Sequence, residues 1–314
     1  MPGPTRKHSI RPHHASHYVR ERAALEGTAR SRLQDALAAR GLSPRKRFGQ
    51  NFLVRDDVAE RIVEHGHVRP DDVVVEIGPG AGALTPLLAQ RARQVVAVEK
   101  DRGLAELLRE ELAELPRTEI VEADFLEYDV AEAAQRHGAE RVAIVGNIPY
   151  NITTPIIERI FEQRAAIRSA VLLVQHEYAQ RLAAAAGTPE YGSLTVFVRY
   201  HALLEPLMTV RAASFWPRPD VDSMLVRFIL RDHPPVAVPS EELLFRIVRG
   251  SFQMRRKQLA NTLEESLGVD KRTVASIGRQ AGISTERRGE TLTLDEFARL
   301  SRAAADHLKA AAND

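Results

Sequence analysis

The chain has 314 residues, 44% of them hydrophobic, no cysteine and a formal net charge of +2, a balance typical of a globular protein with room for two domains. The lack of cysteine excludes thiolate catalysis, disulfides and Cys-ligated zinc and fits a reducing, cytoplasmic setting, while the apolar stretches are too short to span a bilayer. Eleven histidines are scattered without a ligand spacing, so no metal is expected.

The small net charge hides an asymmetry. Residues 1–50 carry eleven Lys or Arg against Glu21, Glu26 and Asp35, a net +8, which leaves the remainder near −6. A basic arm on a mildly acidic body suits a polyanionic partner. No apolar core marks the first residues as a secretory signal, and from Arg20 to Ala39 alanines and leucines recur at loose helical spacing. Arg45-Lys46-Arg47-Phe48-Gly49-Gln50-Asn51-Phe52-Leu53 then joins three cations to two aromatics and two amides, with the cations suited to phosphates and the amides to a bound small molecule.

Val58, Ile62 and Val63 place a short helix over Asp56 to His65. Val73 to Ile77 reads as a buried strand that runs into Gly78-Pro79-Gly80-Ala81-Gly82 and a helix from Leu84 to Arg91. Strand, glycine turn and helix open a nucleotide-binding α/β unit. The spacing is not that of a dinucleotide fingerprint, and no Gly-Lys-Ser/Thr follows, so a ligand with a ribose but no pyrophosphate suits it best. The next strand, Val95 to Val98, ends in Glu99, where an acid takes ribose hydroxyls in such folds. A third, Glu119 to Ala123, ends in Asp124, placed to accept from an adenine amino group.

The fourth strand, Val142 to Val145, runs into Gly146-Asn147-Ile148-Pro149-Tyr150-Asn151-Ile152-Thr153. This knot suits alkylation of an exocyclic amine on a nucleobase, whose lone pair is delocalised into the ring until the amine is pinned and pyramidalised. The Asn147 side-chain oxygen and the Ile148 main-chain carbonyl can each accept one amine hydrogen. Pro149 stiffens the turn, and Tyr150 offers a face for a purine. Four strands in succession thus bring polar or glycine groups to the carboxyl edge of a parallel sheet, where ligands bind in open α/β folds.

Thr154 to Phe161 reads as a helix, Ala170 to Gln175 as a strand and Glu177 to Ala186 as a helix. Tyr191 to Val198 and Ser223 to Ile229 read as two further strands, and between them Phe215-Trp216-Pro217-Arg218-Pro219 presents two aromatics beside a stiff turn. After the linker Pro234 to Pro239 the pattern turns helical: Glu241 to Arg249, Gln258 to Leu267, Arg272 to Ala281 and Leu294 to Leu308. Arg255, Arg256 and Lys257 cluster between the first two of these helices.

Gly49-Gln50-Asn51-Phe52-Leu53, Glu76-Ile77-Gly78-Pro79-Gly80, Val98-Glu99-Lys100-Asp101, Ala123-Asp124 and Asn147-Ile148-Pro149-Tyr150-Asn151-Ile152 resemble the motifs of the rRNA adenine N6-dimethyltransferases, over most of residues 45–300. The resemblance implies a Rossmann-like α/β methyltransferase sheet with a smaller all-helical C-terminal domain. It implies S-adenosyl-L-methionine as cofactor, with Gln50, Asn51, Leu53, Gly78, Gly80, Glu99, Asp124 and Asn147 as its binding positions, and Asn147, Ile148, Pro149, Tyr150 and Phe215 as the catalytic set. Phe215 is expected opposite Tyr150, the two rings sandwiching a flipped adenine. Arg45, Lys46, Arg47, Arg255, Arg256 and Lys257 are the expected RNA contacts.

The expected division is a mobile basic extension over 1–44, a methyltransferase domain over 45–232 and a helical RNA-binding domain over 233–314. Phe252 to Asn261 and Arg287 to Phe297 are similar to KsgA-type small-subunit enzymes, which dimethylate two adjacent adenines. Ile148 is common in the Erm-type enzymes that act on 23S rRNA, so that target stands as an alternative. A non-catalytic assembly or transcription factor is a third reading, disfavoured by the intact Asn147 to Tyr150 set. The expected partner is rRNA within a small-subunit assembly intermediate, met by a cytoplasmic monomer.

Overall fold

A computed structural model of the chain describes residues 28–45, 48–254 and 256–313. Helix α1 (Ala29–Ala38) is capped by the Thr28 side chain and leads to the short strand β1 (Phe52–Leu53) and helix α2 (Asp56–His65). Then β2 (Val73–Ile77), α3 (Thr85–Arg91), β3 (Gln94–Glu99), α4 (Arg102–Glu111), β4 (Thr118–Glu122), α5 (Val130–Arg136) and β5 (Val142–Asn147) alternate. After α6 (Thr153–Glu162), β6 (Ile167–Gln175), α7 (His176–Ala183) and α8 (Ser193–His201) come β7 (Ala202–Val210), β8 (Phe215–Trp216) and β9 (Ser223–Leu230).

The main sheet has seven strands in the order β4-β3-β2-β5-β6-β9-β7. The first five in that order are mutually parallel, and β9 runs antiparallel to both β6 and β7. The chain reverses its direction of growth between β2 and β5, and it is at such a reversal that open α/β sheets leave a crevice beyond the strand ends. Val73, Val75, Val96, Val142 and Ile144 pack against one layer of helices, and Val74, Val95, Ala143 and Val145 against the other. Strands buried on both faces explain the unbroken Val and Ile runs.

Two expectations about the terminal hairpin need correction. Tyr191 to Val198 is not a strand: from Ser193 it is α8, started by a hydrogen bond from the Gly192 N–H to Thr195 Oγ1 (3.2 Å). Val198 joins the core under the sheet while Val196 and Tyr200 join the core of the C-terminal helices. A helix buried on both sides has no polar stripe, so its β-branched run imitates a strand. The true partner of β9 is β7, which contains Pro206 and a register shift between Pro206 and Met208. Proline is admissible there because β7 is an edge strand.

Helices α9 (Glu241–Gln253), α10 (Leu259–Leu267), α11 (Lys271–Ala281) and α12 (Leu294–Asn313) enclose a second core around Ile247, Leu259, Leu263, Val274, Ile277 and Phe297. Ser240 and Asp270 cap α9 and α11, and Gly268 ends α10 in a left-handed conformation. Residues 28–44, expected as part of a mobile extension, instead contain a packed helix: Leu33 and Leu37 of α1 are buried against Phe52, Leu104 and Leu107.

Candidate active site

The carboxyl ends of β2, β3 and β5, the start of β1 and the glycine turn surround a cavity of about 300 Å³, within the range of small-molecule sites. Gln50, Asn51, Leu53, Gly78, Gly80, Glu99, Asp124, Asn147, Ile148, Pro149 and Tyr150 all stand on its wall. Residues up to about a hundred positions apart in sequence are thus brought to one opening, as the strand-end reading requires.

Asn147 is the last residue of β5 and its Nδ2 donates to the Asn51 carbonyl (3.0 Å). That bond fixes the amide plane and leaves Oδ1 as the acceptor. Gly146 is tightly enclosed: a Cβ would stand 3.1 Å from the Ile77 carbonyl oxygen, so the backbone there would have to shift. The Ile148 side chain is buried in the core, so what it can offer a ligand is its main-chain carbonyl. Tyr150 is held at both ends of the residue: Thr153 Oγ1 donates to its carbonyl (3.1 Å), and its phenol lies 2.6 Å from Ser223 Oγ at the start of β9. Burial pushes the phenol pKa up, which keeps it neutral.

The Gly49 to Leu53 segment is fitted closely to this knot. Gly49 has φ +60°, and a Cβ there would sit 2.8 Å from Asn151 Oδ1; Asn51 Nδ2 donates to the Gly49 carbonyl (3.2 Å). Gln50 accepts from the Arg45 N–H through Oε1 (2.8 Å), so its amide braces the loop from within. Gly80 has φ +61° and faces the Phe52 ring, 3.0 Å from where a Cβ would be. The left-handed backbone at both positions is one that glycine adopts without strain.

Glu99 is buried, with Oε2 accepting from the Gly80 N–H (3.0 Å) and Oε1 from the Asp101 N–H (2.8 Å). The glycine turn and the acid are therefore one unit. Asp124 accepts from the Leu126 N–H (3.0 Å) and from Lys100 Nζ (2.5 Å). Burial works to raise its pKa, but the Lys100 ammonium and the Leu126 N–H outweigh it and hold the carboxyl below its ordinary value.

Two expected residues need a different reading. Phe215 is only 3% exposed and does not reach the cavity; it packs with Leu53, Val58, Met208 and Leu225. In β8 it pairs with Leu53 while Trp216 pairs with Phe52. Successive strand residues point to opposite faces, so Phe215 enters the sheet core and Trp216 packs toward α1. No aromatic sandwich with Tyr150 exists in this arrangement. Arg45, expected on phosphate, ion-pairs through its guanidinium with buried Asp101 (2.9 Å) and stands over Phe48. Arg256 and Lys257 are exposed between α9 and α10. Lys46, Arg47 and Arg255 lie outside the described residues.

The sequence reading missed Glu76. It is 1% exposed on the cavity wall, and the Thr85 hydroxyl beside it, which works to hold its pKa down, is too poorly aligned to saturate the carboxylate. A buried acid with acceptor capacity left over at this point suits a ligand that brings its own donor, such as an amino group. An acid inside the otherwise apolar run Val73 to Ile77 was the available signal. Ser223, Lys100 and Asp101 were also missed as supports of Tyr150, Asp124 and Arg45. Among the described residues no helix is long and apolar enough to cross a membrane, and no cluster of His, Asp and Glu has a metal-binding arrangement.

The two buried acids make a pH prediction. Burial chiefly, opposed by the Thr85 hydroxyl and helped by the Glu99 carboxylate, pushes Glu76 up to about 8; burial chiefly, opposed by the Asp101 and Gly80 N–H groups and helped by the Asp101 carboxylate, pushes Glu99 up to about 7. In the unfolded chain both titrate near 4.5. The folded state therefore holds more protons across the interval between, and its stability, fully present below that lower value, falls as pH rises through the folded values. Chemical unfolding of the ligand-free protein at pH 5.5 and pH 8 should show a loss on the order of a few kcal/mol. Glu76→Gln should flatten that dependence, and an unchanged slope would show that Glu76 is not buried as a neutral acid.

Residues 41–302 match the family described as ribosomal RNA adenine dimethylase. A protein named ribosomal RNA small subunit methyltransferase A from Bacillus mycoides (strain KBAB4) is 42% identical over 278 residues, covering 87% of this chain and 95% of the relative. One of the same name from Bacillus cereus (strain AH187) is 42% identical over 282 residues, covering 88% and 97%. Among solved structures, the 23S rRNA methyltransferase ErmE is similar with a TM-score of 0.63 and 32% identity, covering 81% of this chain and all of that one. A dimethyladenosine transferase from Plasmodium falciparum has a TM-score of 0.65 at 22% identity, covering 78% and 94%, and shows the same fold.

Proposed function

This chain belongs to the ribosomal RNA adenine dimethylase family, and from that premise we propose that it transfers methyl groups from S-adenosyl-L-methionine to N6 of two adjacent adenines near the 3′ end of small-subunit rRNA. The observation that carries the reading is Asn147, held by its Nδ2 on the Asn51 carbonyl at the edge of the cavity with Oδ1 left to accept. Names borne by relatives at 42% identity over most of the chain favour the small subunit over the large.

The cofactor, when bound, supplies an electrophilic methyl on a sulfonium. The chain's own residues fit it in three places. Glu99 offers carboxylate lone pairs to the ribose hydroxyls beside the glycine turn. Asp124 offers an acceptor at the purine end, and Glu76, on the cavity wall beside Thr85, offers an oxygen to an amino group. On the substrate side, Asn147 Oδ1 and the Ile148 carbonyl orient the adenine amine, Pro149 fixes the turn, and Tyr150 stacks on the base.

Residues 45–232 carry this chemistry, and 233–314 grip the RNA, with the enzyme working as a monomer on an assembly intermediate in the cytoplasm. Arg256 and Lys257 contribute phosphate contacts. Neutralising both should lower the slope of log K against log salt for rRNA binding by roughly 1.5, at about 0.7 to 0.9 per phosphate, without altering donor affinity. An unchanged slope would make them solvated bystanders. The target is tested by mapping N6,N6-dimethyladenine in rRNA from cells with and without the gene. Loss confined to small-subunit rRNA supports the proposal, and loss confined to 23S rRNA would replace it with the Erm-type reading.

A further inference from the structure

Helix α1 takes no part in the chemistry above, yet Ala29 and Leu33 stand on the wall of the cavity, beside Asp56 of α2. Leu33 and Leu37 pack with Phe52 from β1 and with Leu104 and Leu107 from α4. Phe52 is the ring that meets Gly80, and α4 is preceded by Asp101, whose side chain caps it and whose N–H holds Glu99. Helix α1 therefore lies across both segments that flank the ribose acceptor. The chain leaving it is seated as closely: Leu42 Cδ2 is 2.6 Å from where a Cβ on Gly103 would stand.

The apolar anchor of α1 is small. Its apolar contacts form a small cluster apart from the cores on the two faces of the sheet. Ion pairs among the described residues tie Arg32 to Asp56 (2.9 Å) and Arg40 to Glu110 (2.5 Å), with the carboxylates 70% and 68% exposed and the arginine side chains 16% and 30%. With their carboxylate ends open to water, such pairs add only modestly. An element attached by few buried side chains opens more readily than the core beneath it.

We propose that α1 is a binding element of the donor site: Ala29 and Leu33 close the outer side of the cavity on the bound donor, and donor and product exchange by the lifting of α1. The proposal rests on reading the cavity as the donor site. It assigns a role in cofactor exchange to a segment outside every motif singled out in the sequence.

The chain has no cysteine and one tryptophan, Trp216, which packs in the same cluster as α1. Arg32→Cys/Asp56→Cys thus carries the only two thiols, and a short reducible bis-maleimide can tie α1 to α2 in the full chain. Binding of S-adenosylhomocysteine is followed by Trp216 fluorescence in stopped flow, with calorimetry for the equilibrium. Tying α1 down should slow association and dissociation by at least about tenfold with little change in affinity, and cleaving the linker should restore both rates. Leu33→Ala, untied, should speed dissociation by roughly tenfold. Rates unchanged both in the tied protein and in Leu33→Ala would overturn the proposal. A wild-type chain that binds no S-adenosylhomocysteine at all would instead overturn the reading of the cavity on which it rests.

Discussion

Asn147→Ala should leave rRNA bound while methyl transfer falls by about 10²- to 10³-fold, the loss seen when a donor or acceptor that acts mainly in the transition state is removed. The amine of adenine is a poor nucleophile because its nitrogen is conjugated with the ring. In the proposed mechanism Asn147 Oδ1 draws one hydrogen out of the ring plane, and the freedom of its amide is removed by the bond from Nδ2 to the Asn51 carbonyl. Alanine abolishes both the acceptor and the tie to the Gly49 to Leu53 segment, so donor affinity should also fall, by far less than the rate. No general base is required, since the nitrogen is cationic once methylated and sheds its proton readily. Single-turnover transfer at saturating donor and RNA measures the step itself. A wild-type rate in Asn147→Ala would remove this residue from the chemistry.

Phe215→Ala should destabilise the fold by about 3 to 5 kcal/mol, the cost of emptying a buried phenylalanine site. The ring is 3% exposed and packed with Leu53, Val58, Met208 and Leu225, so the loss should appear in the denaturant midpoint. Tyr150→Ala should do the reverse: base stacking worth roughly 1 to 3 kcal/mol is lost from RNA binding while the midpoint moves less. Its ring stands on the cavity wall and its phenol is tied to Ser223 by a single hydrogen bond. If Phe215→Ala kept full stability and weakened RNA binding alone, the ring would belong to the base site after all.

The two aromatics show how far the sequence could be read. Tyr150 was legible because the strand ahead of it, the glycine and the proline all fix where it must lie. Phe215 was not, since two adjacent aromatics in a strand must face opposite ways and nothing local says which face is core. The pairing of β8 with β1 decides it, a contact between residues more than 160 positions apart. Glu99, Asp124 and the glycine turn were placed correctly at the strand ends because a parallel α/β sheet has one edge at which such residues collect. The Arg45 to Asp101 ion pair and the Ser223 to Tyr150 hydrogen bond depend on tertiary contact and left no local pattern. Helix α8 was mistaken for a strand because it is buried on two sides, and the periodicity that marks a helix exists only where one side meets water.

The most direct measurement gives the purified chain tritium-labelled S-adenosylmethionine and small-subunit rRNA or particles that lack dimethyladenine, then digests the RNA to nucleosides. Label recovered as N6,N6-dimethyladenosine at two adjacent positions of the small-subunit RNA, and absent with Asn147→Ala, is the predicted result. Label that never enters adenine, or that enters it equally with Asn147→Ala, would contradict the account.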